Sequence, residues 1–244
     1  MNRPIQAGPW AQLEREIVAC ERCPRLVEHC REVARVRRRA YRDQEYWGRP
    51  VAGFGDRRAR ILVLGLAPAA HGANRTGRMF TGDSSGDWLF RALHRAGLSD
   101  RAESRSRDDG LLLRGAFISA ACRCAPPGNR PSAEEFLNCA PFLDREVELL
   151  KEIRVLLALG GIAWTAALRR AARVAPETLS RPRPRFGHGT RARLALSASG
   201  PTLWLLGSYH PSRQNTQTGR LTRGMLDGVV RRAVRLAGLD EPGP

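Results

Sequence analysis

Four short apolar runs recur along the chain, and each leads through a glycine-rich or polar segment into a helical pattern. The runs are Ile61–Leu64, Leu112–Ala120, Arg154–Leu159 and Thr202–Leu206. Strands that are apolar on both faces are typical of parallel sheets, so these runs predict buried parallel strands. Their alternation with helices predicts the α/β class, as a three-layer α/β/α sandwich with a central, mainly parallel four-stranded sheet.

Apolar residues at helical spacing and local capping signals predict the helices between and around these strands. The expected helices lie at 10–21, from Ser84 to near Gly97, from the capping box Ser132–Glu135 onward, through 164–168, and at Leu221–Leu236. Residues 24–60 are interpreted as basic and irregular. Residues 173–200 are interpreted as an exposed, mobile, proline-rich excursion with a short hairpin. We expect residues 1–244 to form a single domain.

The net charge of the chain indicates a class of binding partner. The chain has 41 Lys and Arg residues against 24 Asp and Glu residues, which gives a net charge of +17, and Lys151 is its only lysine. The arginine fork binds phosphate well, so the excess favours a polyanionic partner such as nucleic acid. A GC-rich coding genome would produce the same preference for arginine, and the net charge does not separate the two explanations.

Hydropathy sets the expected location of the protein. No apolar run approaches the length that spans a bilayer, and the first residues lack the apolar segment of a signal peptide. We therefore expect a cytoplasmic protein with no membrane partner. We also expect a monomer.

Six cysteines in a chain without an export signal favour metal or redox use over disulfides. Cys20 and Cys23 have the Cys-x-x-Cys spacing of a metal hairpin, and Cys124 and Cys139 would complete four thiolates. Zinc and an iron-sulfur cluster are both compatible with this set. Cys122 remains a substitute ligand, and free buried thiols remain the alternative.

The glycine-rich segment Gly65–Asp83 follows the first strand, where ligands of parallel sheets usually bind. It nearly copies a phosphate-binding loop. However, Arg78 replaces the lysine and Met79 replaces the hydroxyl residue that binds magnesium, which argues against nucleotide hydrolysis. Asp83 is either a catalytic carboxylate or only the cap of the next helix. His210, after the last strand, would point into the same crevice.

Four long motifs in this chain resemble those of the family 5 uracil-DNA glycosylases. They are Gly65–Asp83, Cys124–Pro131 (Cys-Ala-Pro-Pro-Gly-Asn-Arg-Pro), Phe186-Gly-His-Gly189, and the stretch from His210-Pro-Ser to Leu221. The similarity runs from Cys20 to about residue 228. It implies the α/β/α fold of that superfamily and excision of uracil from DNA by base flipping, which leaves an abasic site. It also implies a structural [4Fe-4S] cluster on Cys20, Cys23, Cys124 and Cys139, with zinc as the lesser option.

The resemblance also implies roles for individual residues. Asp83 would act near the sugar, His210 would donate to a uracil carbonyl oxygen, and Asn129 would position water or contact the base. Phe80 would stack on the flipped base. The remaining expected contacts are base-edge contacts from the loop residues Ala67, Ala69, His71 and Gly72 and from Ala120, and DNA contacts from Arg75, Arg78, Ser212, Arg213, Gln214 and Asn215.

The chain departs from better-studied relatives at two positions. Leu66 stands where they carry a polar residue after the first strand, which shifts the expected catalytic role to Asp83. Ala120 stands where some carry an asparagine that binds uracil, which implies looser base choice that includes hypoxanthine. Two rival functions are a redox protein, for which no G-x-G-x-x-G follows a strand, and a non-catalytic nucleic-acid-binding metalloprotein.

Overall fold

A computed structural model describes residues 8–198 and 200–239. Its strands are β1 (Phe54–Gly55), β2 (Ile61–Gly65), β3 (Ala116–Ala120), β4 (Val155–Leu159), β5 (Arg191–Ala195) and β6 (Thr202–Ser208). Its α-helices are α1 (Pro9–Val18), α2 (Pro24–Val36), α3 (Ala73–Thr76), α4 (Ser84–Arg95), α5 (Ala133–Leu149), α6 (Gly161–Val174), α7 (Arg213–Gln217) and α8 (Arg223–Ala237). None of these helices is long and apolar enough to cross a membrane.

The sheet has six strands in the order β1-β3-β2-β4-β6-β5. The four central strands are parallel, as predicted, and every residue of β2, β3 and β4 is buried. The edge strands β1 and β5 are antiparallel to their neighbours and were not among the four predicted. β5 lies in the stretch expected to be an exposed excursion and pairs as a hairpin with β6, which corresponds to the fourth predicted strand.

Helices cover both faces of the sheet and bury it. Side chains of α4 and α8 pack with one face of the central strands, and those of α5 and α6 pack with the other. The capping box predicted at Ser132 is present. Ser132 Oγ accepts from Glu135 N, and Glu135 Oε2 accepts from Ser132 N. The three-layer α/β/α architecture is therefore confirmed, with two more strands than expected.

Part of the stretch from 24 to 60 was wrongly interpreted as irregular. Pro24 occupies the first turn of α2, where its missing N–H costs nothing, so it starts a helix instead of breaking one. Leu26, Val27 and Cys30 form the buried side of α2, and its arginines point outward. Cys23 directly precedes this helix, which places the Cys-x-x-Cys pair between α1 and α2.

Candidate active site at the carboxyl edge of the sheet

Strands β2, β4 and β6 end at one edge of the sheet, called the carboxyl edge here, and the candidate catalytic residues lie beside it. Gly160 N donates to Ser208 O over 2.8 Å, which brings the end of β4 against the end of β6. His210 follows two residues later, and a Cβ on Gly160 would lie 3.4 Å from the His210 Cβ. The last residue of β2, Gly65, lies next to the ring of Phe80.

Asp83 is held at the start of α4. Its Oδ1 accepts from Gly86 N over 2.9 Å, so the capping role considered in the sequence is real. Its Oδ2 lies against Gly72, where an added Cβ would be 2.3 Å away. Burial raises the pKa of Asp83, although the N–H groups of Gly86 and Ser85 oppose that effect. Only one carboxylate oxygen is therefore used by the helix cap.

The Phe80 ring lies between the end of β2 and His210. Its ring atoms lie 2.8 Å from the position a Cβ on Gly65 would take, so the ring covers the end of β2. The Phe80 and His210 ring centroids are 5.9 Å apart. Phe80 has φ of 52°, a left-handed conformation that is unusual for a bulky residue and is typical of functional sites.

His210 is uncharged at neutral pH. Burial lowers the pKa of its imidazole to about 4. Its backbone carbonyl accepts from Asn215 Nδ2 over 2.9 Å, and Ser212 caps the short helix α7 through Asn215 N. Two of the residues expected to contact DNA, Ser212 and Asn215, thus stabilise the turn that carries His210.

The loop after β2 leaves backbone donors available. Within the described residues, no hydrogen bond engages the N–H groups of Ala67, Ala69 or His71. Ala120 pairs in register with Gly65 at the carboxyl edge and is buried. Backbone N–H groups of this loop are therefore available to a ligand.

Tyr46 is a residue of this site that sequence reasoning missed. Its hydroxyl lies 3.1 Å from His71 Nδ1 and also accepts from Arg38 N. In the neutral imidazole, Nδ1 either accepts the hydroxyl proton or donates to the hydroxyl oxygen, according to the tautomer. Burial lowers the pKa of His71 and favours that neutral form. Tyr46 lies 25 residues upstream with no motif around it, so only the fold reveals the pair.

Two arginines expected to bind DNA are engaged within the protein. The Arg78 side chain is buried and makes a bidentate ion pair with Asp109 at 2.7 and 2.8 Å, with further bonds to Ser104 and Thr81. Because this guanidinium is buried, it cannot contact a phosphate of bound DNA. The prediction that Arg78 binds DNA is therefore replaced by a structural role.

The Arg75 side chain also spans the loop instead of facing outward. It donates to His71 O over 2.9 Å and to Gly82 O over 2.7 Å, and its guanidinium carbon lies 4.0 Å from the Tyr41 ring centroid. By contrast, Arg213 and Gln214 are exposed at the start of α7. The exposed end of α7 is thus the better placed of these groups to meet a DNA strand.

Asn129 stands apart from the residues above. It is exposed in the turn that follows Cys124 and has φ of 57°, which asparagine tolerates better than most residues. No hydrogen bond joins it to Asp83 or His210 within the described chain. Its catalytic role stays a prediction.

The cysteines lie around the segment that precedes α2, the turn after β3 and the first half of α5. Cys139 packs with Cys20 in one apolar cluster, and Cys124 packs with Cys23 in the next. Two N–H groups donate to the sulfurs of this group: Arg123 N to Cys139 Sγ over 3.2 Å, and Asn138 Nδ2 to Cys23 Sγ over 3.7 Å. Among the described residues, no three metal-ligating side chains are arranged around a single-ion position.

The donor set is compatible with an iron-sulfur cluster. Thiolates in an apolar shell that accept N–H···S bonds are the features by which proteins hold such clusters and set their potentials. The other two cysteines lie beside this set: Cys122 is hydrogen-bonded to Cys139, and Ala125 N donates to Cys30 Sγ over 3.2 Å. The bond to Cys122 lowers the pKa of Cys139 to about 7. The surplus cysteines are thus neighbours of the predicted ligands.

The family of the chain follows from comparison with known proteins. The family model of the uracil DNA glycosylase superfamily matches residues 52–233, a range that includes every strand and the carboxyl edge. The chain therefore belongs to the uracil DNA glycosylase superfamily.

Similar curated proteins narrow this class. The chain is 53% identical to the type-5 uracil-DNA glycosylase of Mycobacterium bovis, over 96% of this chain and 84% of the relative. It is 51% identical to that of Mycobacterium leprae, over 96% and 98%. It is also 51% identical to that of Thermus thermophilus, over 91% and 96%. Within the superfamily, the chain is a member of the type-5 uracil-DNA glycosylases.

Proposed function

We propose that this protein hydrolyses the N-glycosidic bond of deoxyuridine in DNA and leaves an abasic site. The observation that carries the proposal is the uncharged His210 imidazole packed against the Phe80 ring at the carboxyl edge, with the Asp83 carboxylate lying against Gly72 of the same loop. Family membership agrees with this activity and does not favour a protein that only binds nucleic acid.

The reaction develops negative charge on the base and positive charge on the sugar, and the site must stabilise both. As the bond from the sugar to the base breaks, the electron pair leaves with the uracil, and the sugar becomes cationic. Ionised Asp83, through its uncapped Oδ2, stabilises that cation and takes the proton of the attacking water. Neutral His210 donates an N–H to a uracil carbonyl oxygen, and its low pKa means that the ring keeps a donor without carrying a charge.

The flipped base is read by stacking and by backbone groups. Phe80 provides the stacking surface, and the unengaged N–H groups of Ala67, Ala69 and His71 face the edge of the base. Ala120 contributes no side-chain amide that would demand uracil. We therefore propose that hypoxanthine and other deaminated bases are also excised, more slowly where their size or edge pattern fits less well.

Arg213 and Gln214 fill the space that the base leaves and contact the nearby phosphates. Their exposure at the start of α7, three and four residues after His210, supports this role because the turn is fixed from behind by Ser212 and Asn215.

We also propose that Cys20, Cys23, Cys124 and Cys139 hold a [4Fe-4S] cluster. When bound, the cluster supplies structural cross-linking between α1, α2, the turn after β3 and α5, and takes no part in the hydrolysis. Replacing any of the four with serine should remove iron, measured as iron and sulfide per chain and as visible absorbance. Cys30→Ala and Cys122→Ala are the matched controls and should retain it. Loss of iron only in Cys122→Ala would overturn the ligand set.

The activity is tested by single-turnover excision on a duplex with one uracil, read as alkali-labile strand breaks. We expect breaks with the wild-type protein and a large loss of rate with Asp83→Asn. Parallel duplexes with hypoxanthine and xanthine measure base choice. Binding without any alkali-labile product would contradict the proposal and support a non-catalytic nucleic-acid-binding protein.

A further inference from the structure

Arg123 is a buried cation whose hydrogen-bonding capacity is only partly used. It lies between Cys122 and Cys124, and its side chain is 1% exposed. Nη2 donates to Glu146 Oε2 over 2.6 Å, and the same oxygen accepts from Ser119 Oγ over 2.5 Å. Nε and Nη1 have no hydrogen-bond partner among the described residues. A buried donor without an acceptor is destabilising, and more so on a charged group, so both nitrogens require an acceptor.

The position of Arg123 restricts where that acceptor lies. Its own backbone N–H donates to Cys139 Sγ over 3.2 Å. Cys139 and Glu146 are seven residues apart on α5, which places them on one face of the helix two turns apart. Arg123 contacts both, with Glu146 at one end and the cysteine group at the other.

The neighbouring cavity does not provide the acceptor. A cavity of about 210 Å³ lies between α1 and the sheet edge, lined by Trp10, Phe117 and Glu146 among others. Arg123 does not line it. The unpartnered nitrogens are thus buried on a side chain that pairs with Glu146 at its tip and whose backbone N–H binds Cys139 Sγ.

We propose that Arg123 donates from Nε or Nη1 to sulfur of the iron-sulfur cluster, while Glu146 and Ser119 hold the guanidinium in place. This inference rests on the cluster assigned above. A positive charge with N–H donors at a cluster stabilises its more negative, reduced state, so Arg123 raises the reduction potential. Arg123 is a positioning and tuning residue for the cluster and takes no direct part in base excision.

The first test is made on the wild-type protein, so it does not depend on the folding of a variant. The protein is labelled with ¹⁵N only in the arginine guanidino groups. The cluster is brought to a paramagnetic state by one-electron reduction or oxidation, and pulsed electron paramagnetic resonance measures nitrogen coupling. We expect a coupled ¹⁵N in the wild type and its loss in labelled Arg123→Lys. Iron without any ¹⁵N coupling in the wild type would overturn this inference alone, whereas a wild type without iron would overturn the cluster assignment as well.

Potentiometry gives a second readout. Arg123→Gln should shift the equilibrium toward the oxidised cluster by about tenfold, which is about 59 mV for a one-electron couple. Arg145→Gln is the matched control, because Arg145 also lies on α5 but pairs at the surface with Glu16. Its potential should equal that of the wild type. An equal shift in both variants would mean that only the total charge matters, which contradicts direct donation by Arg123.

Discussion

The two oxygens of Asp83 meet different partners, and this separates its stability role from its proposed catalytic role. Oδ1 caps α4 through Gly86 N, and Oδ2 lies beside Gly72. Asparagine caps helices about as well as aspartate but carries no charge. A single substitution can therefore remove the charge and leave the cap.

We expect Asp83→Asn to lower single-turnover uracil excision by about 10²- to 10³-fold, since a preorganised charged group is lost at the developing cation. Its unfolding free energy should stay within about 0.5 kcal/mol of the wild type. Asp83→Ala is the comparison, which should lose the activity and also about 1 kcal/mol of stability. Full activity in Asp83→Asn would leave Asp83 as a helix cap only.

His210 should make the protein less stable in acid. Its pKa is about 4 in the folded protein and 6.5 when unperturbed, so between these values the unfolded chain binds the extra proton. Stability from this residue is present above pH 6.5 and is lost as pH falls toward 4, by up to about 3 kcal/mol. Urea unfolding of wild type and His210→Gln from pH 4 to 8 measures it. The variant should show the shallower decline, and identical slopes would place the imidazole in solvent.

At the scale of elements, the loop from β2 to α4 is folded back on itself, so that its two ends touch. Gly72 meets Asp83, and Gly65 meets Phe80, at distances that leave no room for a side chain. The loop is thus closely packed on itself, and its glycines serve that packing.

Gly72→Ala should displace Asp83, because its Cβ would lie 2.3 Å from Oδ2. We expect a loss of excision rate of at least tenfold and reduced stability. Gly228→Ala is the control: Gly228 lies in α8 with no atom within 4 Å of an added Cβ, so alanine should stabilise the helix by about 0.5–1 kcal/mol. Kinetics and thermal unfolding of both variants check this. An active Gly72→Ala protein would show that the Asp83 position is not critical.

The elements that sequence predicted and those it missed differ in how local their signals are. The four parallel strands are continuous apolar runs, and the capping box of α5 is contained within four residues. β1 has only two residues and exists because Phe54 and Gly55 pair with β3, more than 60 residues later. β5 mixes arginines and alanines in a proline-rich context and is defined by its pairing with β6.

The residues of the candidate site also differ in whether their signals are local or long-range. Asp83, Phe80 and His210 lie in motifs that follow strands, so the sequence indicated them, and the fold places the Phe80 ring beside His210. The burial of Arg78 depends on Asp109, which is 31 residues away with no periodic relation to it. The pairing of Arg123 with Glu146 likewise depends on how β3 and α5 meet. Such long-range partners cannot be read from one sequence.

At the scale of the whole molecule, the net charge of +17 makes DNA affinity depend on salt. Only arginines near the carboxyl edge should contribute to the slope of log affinity against log salt concentration for uracil-containing DNA. Arg213 is exposed there, whereas Arg235 is in the last turn of α8, which ends beside Arg154 and Arg60 at the opposite edge of the sheet.

We expect Arg213→Gln to reduce the slope of log affinity against log salt by about one. Arg235→Gln removes the same charge at the opposite edge and should leave the slope unchanged. Binding is measured in the Asp83→Asn background so that the substrate stays intact. Equal changes in both variants would indicate a diffuse charge effect and no phosphate contact at Arg213.

The two edge strands also affect how copies of this protein behave in a crowded solution. An open strand edge is a template for another chain, and proteins limit that risk with short strands and outward charges. β1 offers two residues, and β5 presents Arg191 and Arg193, which stack over Trp204 at 5.4 and 4.8 Å from its ring centroid. Like charges would face each other if two β5 edges approached. The same arginine content that favours DNA therefore protects the sheet against self-aggregation.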